Sequence, residues 1–390
     1  MFLAQGDSKA FCKAFKKKKH GQCPVSKQEQ LAHFQNLVGS QLETGDVPVE
    51  TQANPGEVPQ PDYDDSEPSC LNGEFTAEEL QKCIQSLKRG KASGVDGIMA
   101  EMLIDGGEAL HQCLLTMYDR MLEGAFPAGL SVGLITAVFT SGDVNDMGNY
   151  RGITVTPVLA KLFAMLLKAR ITEYTDGHHL RGQGQAGFRP DYRTIDNVFV
   201  MQQLIERYAK NADKKDRKIF ACFVDFRKAF DTVDRCVLWQ VLWNIGIRGR
   251  ILPCIKAMYE CDSAAVITKE GVTEIFGCYL GVKQGCPLSP DLFGIFIDEL
   301  ERVMLTLPNS AAPLLPHKIM HQGIQCCRKL CLLLYADDLV LLSASREGLQ
   351  NQLSTLHSFC SDRRLTVNVA KTKMMLFEKR RTDCCAVKTL

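Results

Sequence analysis

The sequence predicts an α+β fold in which an antiparallel sheet carries acidic residues at its strand ends. Leu332–Leu342 contains two apolar runs that flank the adjacent acids Asp337 and Asp338, and short apolar runs of about 4–8 residues are typical of buried strands. A second β-branched and aromatic run, Lys218–Phe226, carries Asp225 close to its end. Stretches with helical periodicity lie between these runs, and they supply helices to cover the sheet.

The three carboxylates predict a metal site. Burying an unpaired charge is costly, so acids at the tip of an apolar hairpin need a partner, and oxygen atoms are the ligands that Mg²⁺ prefers. Taken alone, Asp337 and Asp338 fit an ordinary surface turn equally well. The addition of Asp225 at a neighbouring strand end favours a two-metal site, in which ions about 3.5–4 Å apart stabilise the attacking and leaving oxygens of phosphoryl transfer.

Three motifs in this order resemble those of reverse transcriptases. Phe223–Asp231 (FVDFRKAFD) and Tyr335–Asp338 (YADD) are similar to the paired catalytic motifs of the family. Between them, Gly281–Pro290 (GVKQGCPLSP) resembles the nucleotide-pocket loop of the non-LTR, LINE-type retrotransposon group. The resemblance extends over Phe75–Phe377. It implies a right-hand polymerase with an antiparallel palm sheet backed by helices and a largely helical fingers region.

The resemblance implies the catalytic roles. Asp225 and Asp337 are the implied metal ligands, with Asp338 as a further ligand, and Mg²⁺ is the implied cofactor with Mn²⁺ as an alternative. Lys371 matches a lysine near the phosphates of the substrate and is the implied general acid for departure of pyrophosphate. Lys373 competes with it for that role.

The implied nucleotide site draws on three segments of the chain. Arg151 matches a fingers residue that holds the triphosphate, because guanidinium fits phosphate oxygens in a bidentate fork; a structural cation is the alternative. Phe230 is implied to pack under the sugar and exclude a ribose 2′-hydroxyl, with a core aromatic as the alternative. Gln284 is implied to touch the incoming nucleotide or the template base, and Phe226 and Gly285 complete the implied site.

The implied partners are an RNA template, a DNA primer and dNTPs. Tyr335 is expected to lie against the primer end. Gln185–Pro190 resembles the template-side motif of the family, and it contains Phe188 and Arg189. An aromatic ring beside an arginine can stack on a base and hold a phosphate. The sequence leaves the oligomeric state open.

Some residues depart from the family pattern or from the site. Thr140 stands where the family has a basic residue, so a phosphate contact is expected to be absent there. Asp231 and Asp234 lie beside a predicted helix start, where capping and the helix dipole explain an acid, and both are left out of the metal site. Gly90–Ile98 resembles the entry to the fingers but lacks P-loop spacing, so a plain interhelix loop is the alternative.

Charge gives weaker support for a nucleic-acid partner. The net charge of +1 conceals nine acidic residues and no Lys or Arg in residues 41–75, so the rest of the chain is net positive, as suits a phosphate backbone. The lysine run Lys16–Lys19 is either a solvated face or an arm for nuclear import or nucleic-acid binding.

Composition also limits the cellular setting. The 17 cysteines include no C-x-x-C pair, so a zinc ribbon or knuckle is not expected. They are interpreted as small buried apolar residues in a reducing compartment. No apolar run is long enough for a transmembrane helix. We therefore expect a protein of the nucleus or cytoplasm without a membrane partner.

Four segments are predicted. Residues 1–40 form a basic segment, in which Gln30–Val38 has helical spacing that would fit a short amphipathic helix, 41–75 an acidic, proline-rich disordered linker, 76–377 the fingers and palm, and 378–390 a short tail. Order is expected to begin at Thr76, which opens a capping box with Glu79, and Leu307–Leu330 is expected to be irregular. Because the thumb of the family would follow Phe377, we expect a largely missing thumb and a chain truncated at both ends.

These observations leave three hypotheses for function. The leading one is an RNA-directed DNA polymerase that transfers a nucleotidyl group from a dNTP to a primer 3′-hydroxyl. The second is a catalytically inactive nucleic-acid-binding remnant, favoured by Thr140 and the absent thumb. The third is another palm-type enzyme such as a nucleotide cyclase, which the Gln284 loop and the fingers motifs argue against because a cyclase holds no template.

Overall fold

Two five-stranded sheets organise the computed structural model of the chain, which describes residues 23–39, 70–210, 218–308, 311–321, 324–379 and 385–389. The helices are α1 (Lys27–Val38), α2 (Ala77–Gln85), α3 (Ala100–Ile104), α4 (Gly107–Leu122), α5 (Val158–Gly177), α6 (Thr194–Ile205), α7 (Arg235–Asn244), α8 (Ile251–Glu260), α9 (Ser289–Thr306) and α10 (Arg346–Asp362). The strands are β1 (Val132–Phe139), β2 (Tyr150–Val155), β3 (Lys218–Val224), β4 (Ser263–Thr268), β5 (Gly271–Val272), β6 (Phe276–Gly277), β7 (Leu314–His321), β8 (Ile324–Lys329), β9 (Leu332–Tyr335), β10 (Asp338–Ser343), β11 (Lys373–Lys379) and β12 (Cys385–Thr389).

The sheet that carries the predicted acids has the strand order β12-β11-β3-β10-β9. All its strand pairs are antiparallel. Strands β9 and β10 form a tight hairpin in which Tyr335 pairs with Asp338, and Ala336 at its turn has a positive φ of 61°. The structure therefore confirms the predicted apolar hairpin and the neighbouring strand β3.

The other sheet joins segments that are far apart in the sequence. Strand β1 pairs antiparallel with β2 and parallel with β4, and β4 also pairs with β5 and β6. Helix α1 covers one face of this sheet, where Phe34 packs with Ile135 and Val266. The expectation that order begins at Thr76 is therefore wrong, because α1 begins at Lys27 and contributes to a core, while the helix expected from the spacing of Gln30–Val38 is confirmed.

The main core lies between the acid-bearing sheet and the helices. Its largest fully buried side chains include Tyr118, Phe163, Phe293 and Phe296, and full burial of such a side chain contributes roughly 1.5–3 kcal/mol. The Tyr118 and Phe163 rings stack with their centroids 5.4 Å apart. Helices on this side thus back the sheet and hold its strand ends in place.

The structure tests two predictions about local structure. The capping box of Thr76 and Glu79 is confirmed. Helix α6 begins at Thr194, and the Asp196 carboxylate accepts a hydrogen bond from the backbone N–H of Arg193, the residue before it. Leu307–Leu330 was expected to be irregular, yet β7 and β8 form an antiparallel hairpin within it.

Two predictions fall partly outside the described ranges. The lysine run of residues 16–19 and most of the acidic segment lie there, so the segment boundaries remain predictions. Within the described ranges, no helix is both long and apolar enough to span a membrane. Twelve cysteines of those ranges are free thiols, and eight of the twelve are buried, in keeping with their interpretation as small core residues.

Candidate active site

Three strand ends bring the predicted carboxylates to one edge of the sheet. Val224 pairs with Leu339, and the same antiparallel register carried one residue further places Asp225 opposite Asp338. Asp337 occupies the turn immediately before Asp338. The pKa of Asp338 is raised by burial and by the negative charges of Asp337 and Asp225. The three acids are therefore close enough to repel one another.

This donor set suits a hard divalent cation. In the part of the chain that the structure describes, no three His, Cys, Asp or Glu side chains converge tightly enough to enclose a metal ion. The three carboxylates nevertheless supply only oxygen donors, which Mg²⁺ prefers, and a cation between them would relieve their mutual repulsion. The chemistry of these carboxylates fits the predicted metal, and their side chains do not form a closed cage.

A loop after α10 fixes the backbone around Asp225. The Asn368 N–H donates to the Asp225 carbonyl at 2.7 Å, and the Arg227 N–H donates to the Thr366 carbonyl at 2.8 Å. Burial lowers the pKa of Lys228, and the charges of Arg151 and of Lys371, which lies on this loop, lower it further, so Lys371 and Lys228 share one region. The competing Lys373 donates to the Ala370 carbonyl at 2.9 Å.

Arg151 faces the acidic edge from the other sheet. It is an exposed residue of β2, and its charge lowers the pKa of Asp338, against the larger effect of burial. Within the described ranges it has no carboxylate partner at ion-pair distance. Its guanidinium therefore adds positive potential to the cleft instead of stabilising a local ion pair.

Two predicted aromatic residues lie in one row. The Phe188 side chain is 42% exposed and meets the Phe230 ring edge-on at 5.9 Å between centroids. The other face of the Phe230 ring stacks on Phe293 at 4.4 Å. The ring of Phe226, by contrast, is 5% exposed and packs in the main core, so a nucleotide can meet this residue only at its backbone.

The loop with Gln284 is held against both β2 and the Asp225 motif. The Thr154 N–H donates to the Gln284 carbonyl at 2.7 Å. Gly285 has a φ of +126°, and a Cβ there would lie 2.2 Å from the Thr154 carbonyl oxygen, so this close approach requires glycine. The side-chain Nε2 of Gln284 donates to both carboxylate oxygens of Asp231 at 2.9 Å.

Asp231 therefore lies at the candidate site, whereas the sequence predicted that it caps a helix. The capping explanation holds for Asp234, whose Oδ1 accepts from the backbone N–H groups of Cys236 and Val237. It is wrong for Asp231, which contacts Gln284 instead. Burial raises the pKa of Asp231 to about 6, against the opposing effects of Lys228 and of the Gln284 hydrogen bond. No local pattern could identify this contact, because the two residues lie far apart in the sequence.

The predicted template-side motif also supports the turn that carries Asp337. Gln185 is fully buried, and its Oε1 accepts from the Gly187 N–H at 2.8 Å and from the Ala336 N–H at 3.0 Å. A Cβ at Gly187 would lie 2.1 Å from the Ala336 nitrogen. Gln185 belongs to the Gln185–Pro190 motif, but its contact with the turn between Tyr335 and Asp337 was not predicted.

Arg189 occupies the exposed side of the same motif. Its Nη1 donates to the Gly182 carbonyl at 3.0 Å, and its guanidinium lies over the Tyr192 ring at 4.8 Å. Tyr335 is half-buried immediately before the turn that carries Asp337. The structure thus places Tyr335 beside the acidic edge and Phe188 against Phe230, whereas the Arg189 guanidinium is held at Gly182 and Tyr192. The roles of the three residues toward template and primer remain predictions.

The antiparallel sheet carries acids at the ends of its central strands, and the second sheet, which carries Arg151, faces them. This arrangement defines the palm and fingers of a right-hand polymerase. The family model described as reverse transcriptase (RNA-dependent DNA polymerase) matches residues 141–388, more than half of the chain. The chain belongs to this family. We refer below to the acid-bearing sheet as the palm sheet and to the sheet with Arg151 as the fingers sheet.

Similar proteins come from mobile elements. The chain is 26% identical over 296 residues to the Retrovirus-related Pol polyprotein from type-1 retrotransposable element R2 of Popillia japonica, covering 76% of this chain and 38% of that protein. It is 25% identical over 311 residues to the probable RNA-directed DNA polymerase from transposon BS of Drosophila melanogaster, covering 76% of this chain and 31% of that protein. The chain therefore spans about a third of the length of these relatives.

These relatives confirm the predicted resemblance to the non-LTR retrotransposon group. Among solved structures, the chain is similar to apo telomerase from Candida tropicalis truncated from the C-terminal domain, with a TM-score of 0.44 and 14% sequence identity. That match covers 75% of this chain and 61% of the telomerase chain.

Proposed function

We propose that this chain is the fingers and palm of an RNA-directed DNA polymerase of non-LTR retrotransposon type. It would transfer a nucleotidyl group from a dNTP to the 3′-hydroxyl of a DNA primer paired with an RNA template. The observation that carries the proposal is the gathering of Asp225, Asp337 and Asp338 at one edge of the palm sheet. Family membership supports the same reaction.

The three carboxylates would hold Mg²⁺, or Mn²⁺ as an alternative. When bound, divalent ions supply charge neutralisation and stabilise the attacking and leaving oxygens of the transfer. The chain itself supplies fixed positive charge at Arg151, which would hold the triphosphate. Catalysis of this kind depends mainly on positioning and electrostatics.

The remaining residues would orient the substrates. Phe230 would form the floor under the sugar, where its ring is supported by Phe293. Phe188 and Arg189 would stack on a template base and hold a template phosphate. Lys371 would donate a proton to the departing pyrophosphate from the loop that is bonded to the backbone of Asp225.

Replacing Phe230 by valine should relax selection against ribonucleotides. The shorter side chain leaves room for a 2′-hydroxyl, and selectivity between substrates that differ by one small group is typically about 10–200-fold. We expect the ratio of kcat/KM for dNTP over rNTP to fall by at least about tenfold. Single-nucleotide incorporation measured with both substrates checks this. An unchanged ratio in a folded, active variant would show that Phe230 serves only as a core aromatic.

The proposed reaction is tested by primer extension. The protein is incubated with an RNA template, an annealed DNA primer, dNTPs and Mg²⁺, beside reactions that lack metal. Extension that requires the RNA template and the metal supports the proposal. Absence of extension under Mg²⁺ and Mn²⁺, with template–primer binding retained in a filter assay, would overturn it in favour of the second candidate below.

A nucleic-acid-binding protein without turnover is the second candidate. Thr140 favours it, because the family position that carries a basic residue here holds a hydroxyl that donates to the Asn149 carbonyl at 2.7 Å. The cleft therefore has one cation fewer for the triphosphate than the family pattern provides. Arg151 argues for the first candidate, since it still supplies positive charge to the same region.

A further inference from the structure

We propose that Asp231 is a positioning residue that holds the Gln284 side chain with its amide oxygen Oε1 directed toward the nucleotide pocket as a hydrogen-bond acceptor. The inference rests on the proposed function and names a specificity element within that site. Gln284 and Asp231 come from separate loops, and neither their spacing nor their chemistry marks them as a pair in the sequence.

The contact between the two side chains is direct. Nε2 of Gln284 lies 2.9 Å from Oδ1 and 2.9 Å from Oδ2 of Asp231. Burial raises the pKa of Asp231, the positive charges of Lys228 and Arg151 oppose that shift, and the negative charge of Asp337 adds to it. Asp231 therefore lies close enough to both Arg151 and Asp337 for their charges to act on it.

The chemistry of a carboxylate fixes the orientation of the amide. An ionised carboxylate has no hydrogen to donate, whereas a glutamine side chain can present either its NH₂ group or its oxygen. Asp231 accepts from the NH₂ group, so the other end of the amide, Oε1, is left for a ligand. Within the described ranges, Oε1 makes no hydrogen bond to protein, and Gln284 is only half-buried.

The backbone around the pair is held by several independent contacts. The Val282 N–H donates to the Phe230 carbonyl at 2.8 Å, and the Gly281 N–H donates to the Val233 carbonyl at 2.9 Å. Gly281 has a φ of +76°, and a Cβ there would lie 2.6 Å from the Asp231 carbonyl oxygen. The two loops thus approach too closely for a side chain at Gly281, and Asp231 meets Gln284 with little freedom in either backbone.

The orientation of Gln284 Oε1 determines which ligand groups this part of the pocket accepts. An oriented acceptor pairs with a hydroxyl or amine donor of a nucleotide or template base and disfavours another acceptor at the same place. Without Asp231, the Gln284 amide could rotate and present its oxygen to a donor or its NH₂ group to an acceptor. With Asp231 in place, the pocket is selective for a donor.

A double-mutant cycle tests the proposal at pH 8, where the Asp231 carboxylate is ionised. Asp231→Asn keeps the shape but lets the amide pair form in either orientation. We expect KM for dNTP to rise about tenfold, the effect of losing one charge-assisted hydrogen bond, with a smaller change in kcat. In a Gln284→Ala background, Asp231→Asn should have almost no further effect on KM, because its partner is already gone.

The matched control is Asp146→Asn. Asp146 is an exposed acid whose charge also acts on Lys228, but its carboxylate bonds the Gly148 N–H in the fingers turn and not Gln284. We expect KM within about twofold of the wild-type value. Equal effects of Asp231→Asn with and without Gln284, or an Asp146→Asn effect of similar size, would assign the role of Asp231 to its charge alone and overturn the proposal.

A second measurement does not depend on turnover. In protein labelled with ¹⁵N at glutamine side chains, the Gln284 NH₂ signal is identified by its loss in Gln284→Ala. We expect slowed exchange of this NH₂ with solvent in the wild-type protein and faster exchange in Asp231→Asn, where only one of the two orientations of the amide pair bonds the NH₂ group. Fast exchange in the wild-type protein would overturn the proposal even if primer extension fails, so this result is distinguishable from failure of the proposed function.

Discussion

Primer extension should fall by at least about 10³-fold in the Asp337→Asn protein, because preorganised charge at the reacting centre supplies a large share of catalysis in such sites. The substitution keeps the shape of the side chain and removes one of three clustered negative charges. It should leave the fold intact, since Asp337 lies in a turn and relief of repulsion among the acids is not destabilising. Single-turnover incorporation on an RNA template measures the loss.

The matched control is Asp362→Asn, in an exposed acid at the C-terminal end of α10. An acid there is unfavourable to the helix dipole, so this variant should extend primers at the wild-type rate with equal or slightly greater stability. The pKa of Asp338 gives a further check. Because Asp337 raises that pKa, Asp337→Asn should lower it. Activity of Asp337→Asn within about tenfold of the wild type would rule out the assigned metal role.

The free energy of unfolding should fall by about 3–5 kcal/mol in the Arg235→Met protein, the usual cost of breaking a buried charge pair. The Arg235 guanidinium donates to Asp262 Oδ2 at 2.7 Å, and it also donates to the carbonyls of four residues: Tyr259, Cys278, Leu280 and Gly281. Methionine retains much of the volume but none of these donors. Urea denaturation followed by circular dichroism measures the change.

Arg248→Met is the control for this prediction. Arg248 also lies over an aromatic ring, that of Trp243 at 4.8 Å, and donates to one carbonyl, but it is not buried and has no carboxylate partner among the described residues. Its loss should cost less than about 1 kcal/mol. If Arg235→Met costs no more than Arg248→Met, the buried network does not stabilise the loop that leads to Gln284.

The costs of losing Arg235 and Asp262 should not add. Asp262 keeps a second partner, Lys283, whose Nζ lies 2.6 Å from Oδ1, so Arg235→Met leaves a carboxylate that is still paired on one side. In the double variant Arg235→Met with Asp262→Asn, we expect a cost smaller than the sum of the two single variants, because each single variant already breaks the same Arg235–Asp262 ion pair.

The elements that the sequence predicted correctly depend on signals within a few residues. Alternating or continuous apolar runs gave β3 and the hairpin around Asp337, and the Thr76 capping box gave the start of α2. Asp234 was assigned correctly because a cap bonds backbone groups two and three residues away. Such contacts are visible in the order of residue types alone.

The contacts that were missed join residues distant in the sequence. Asp231 looks like a helix-start acid until the Gln284 loop is placed against it. Gln185 supports the turn that carries Asp337 through Ala336, and Arg235 binds carbonyl groups on two later segments. Neither periodicity nor spacing identifies such partners, because each contact depends on how segments that are distant in the sequence pack together. The family resemblance identified the motifs but not these bonds.

The parallel pairing of β1 with β4 has a consequence for synthesis of the chain. Val132 pairs with Ser263, so one edge of β1 remains open until the ribosome has released β4, long after β1 itself has emerged. Such non-local pairing slows folding, and an unpaired strand edge can associate with other chains. The growing chain therefore passes through a prolonged stage in which the β1–β2 hairpin exposes an aggregation-prone edge, and expression strategies that delay folding until release or supply a chaperone should raise the yield of native protein.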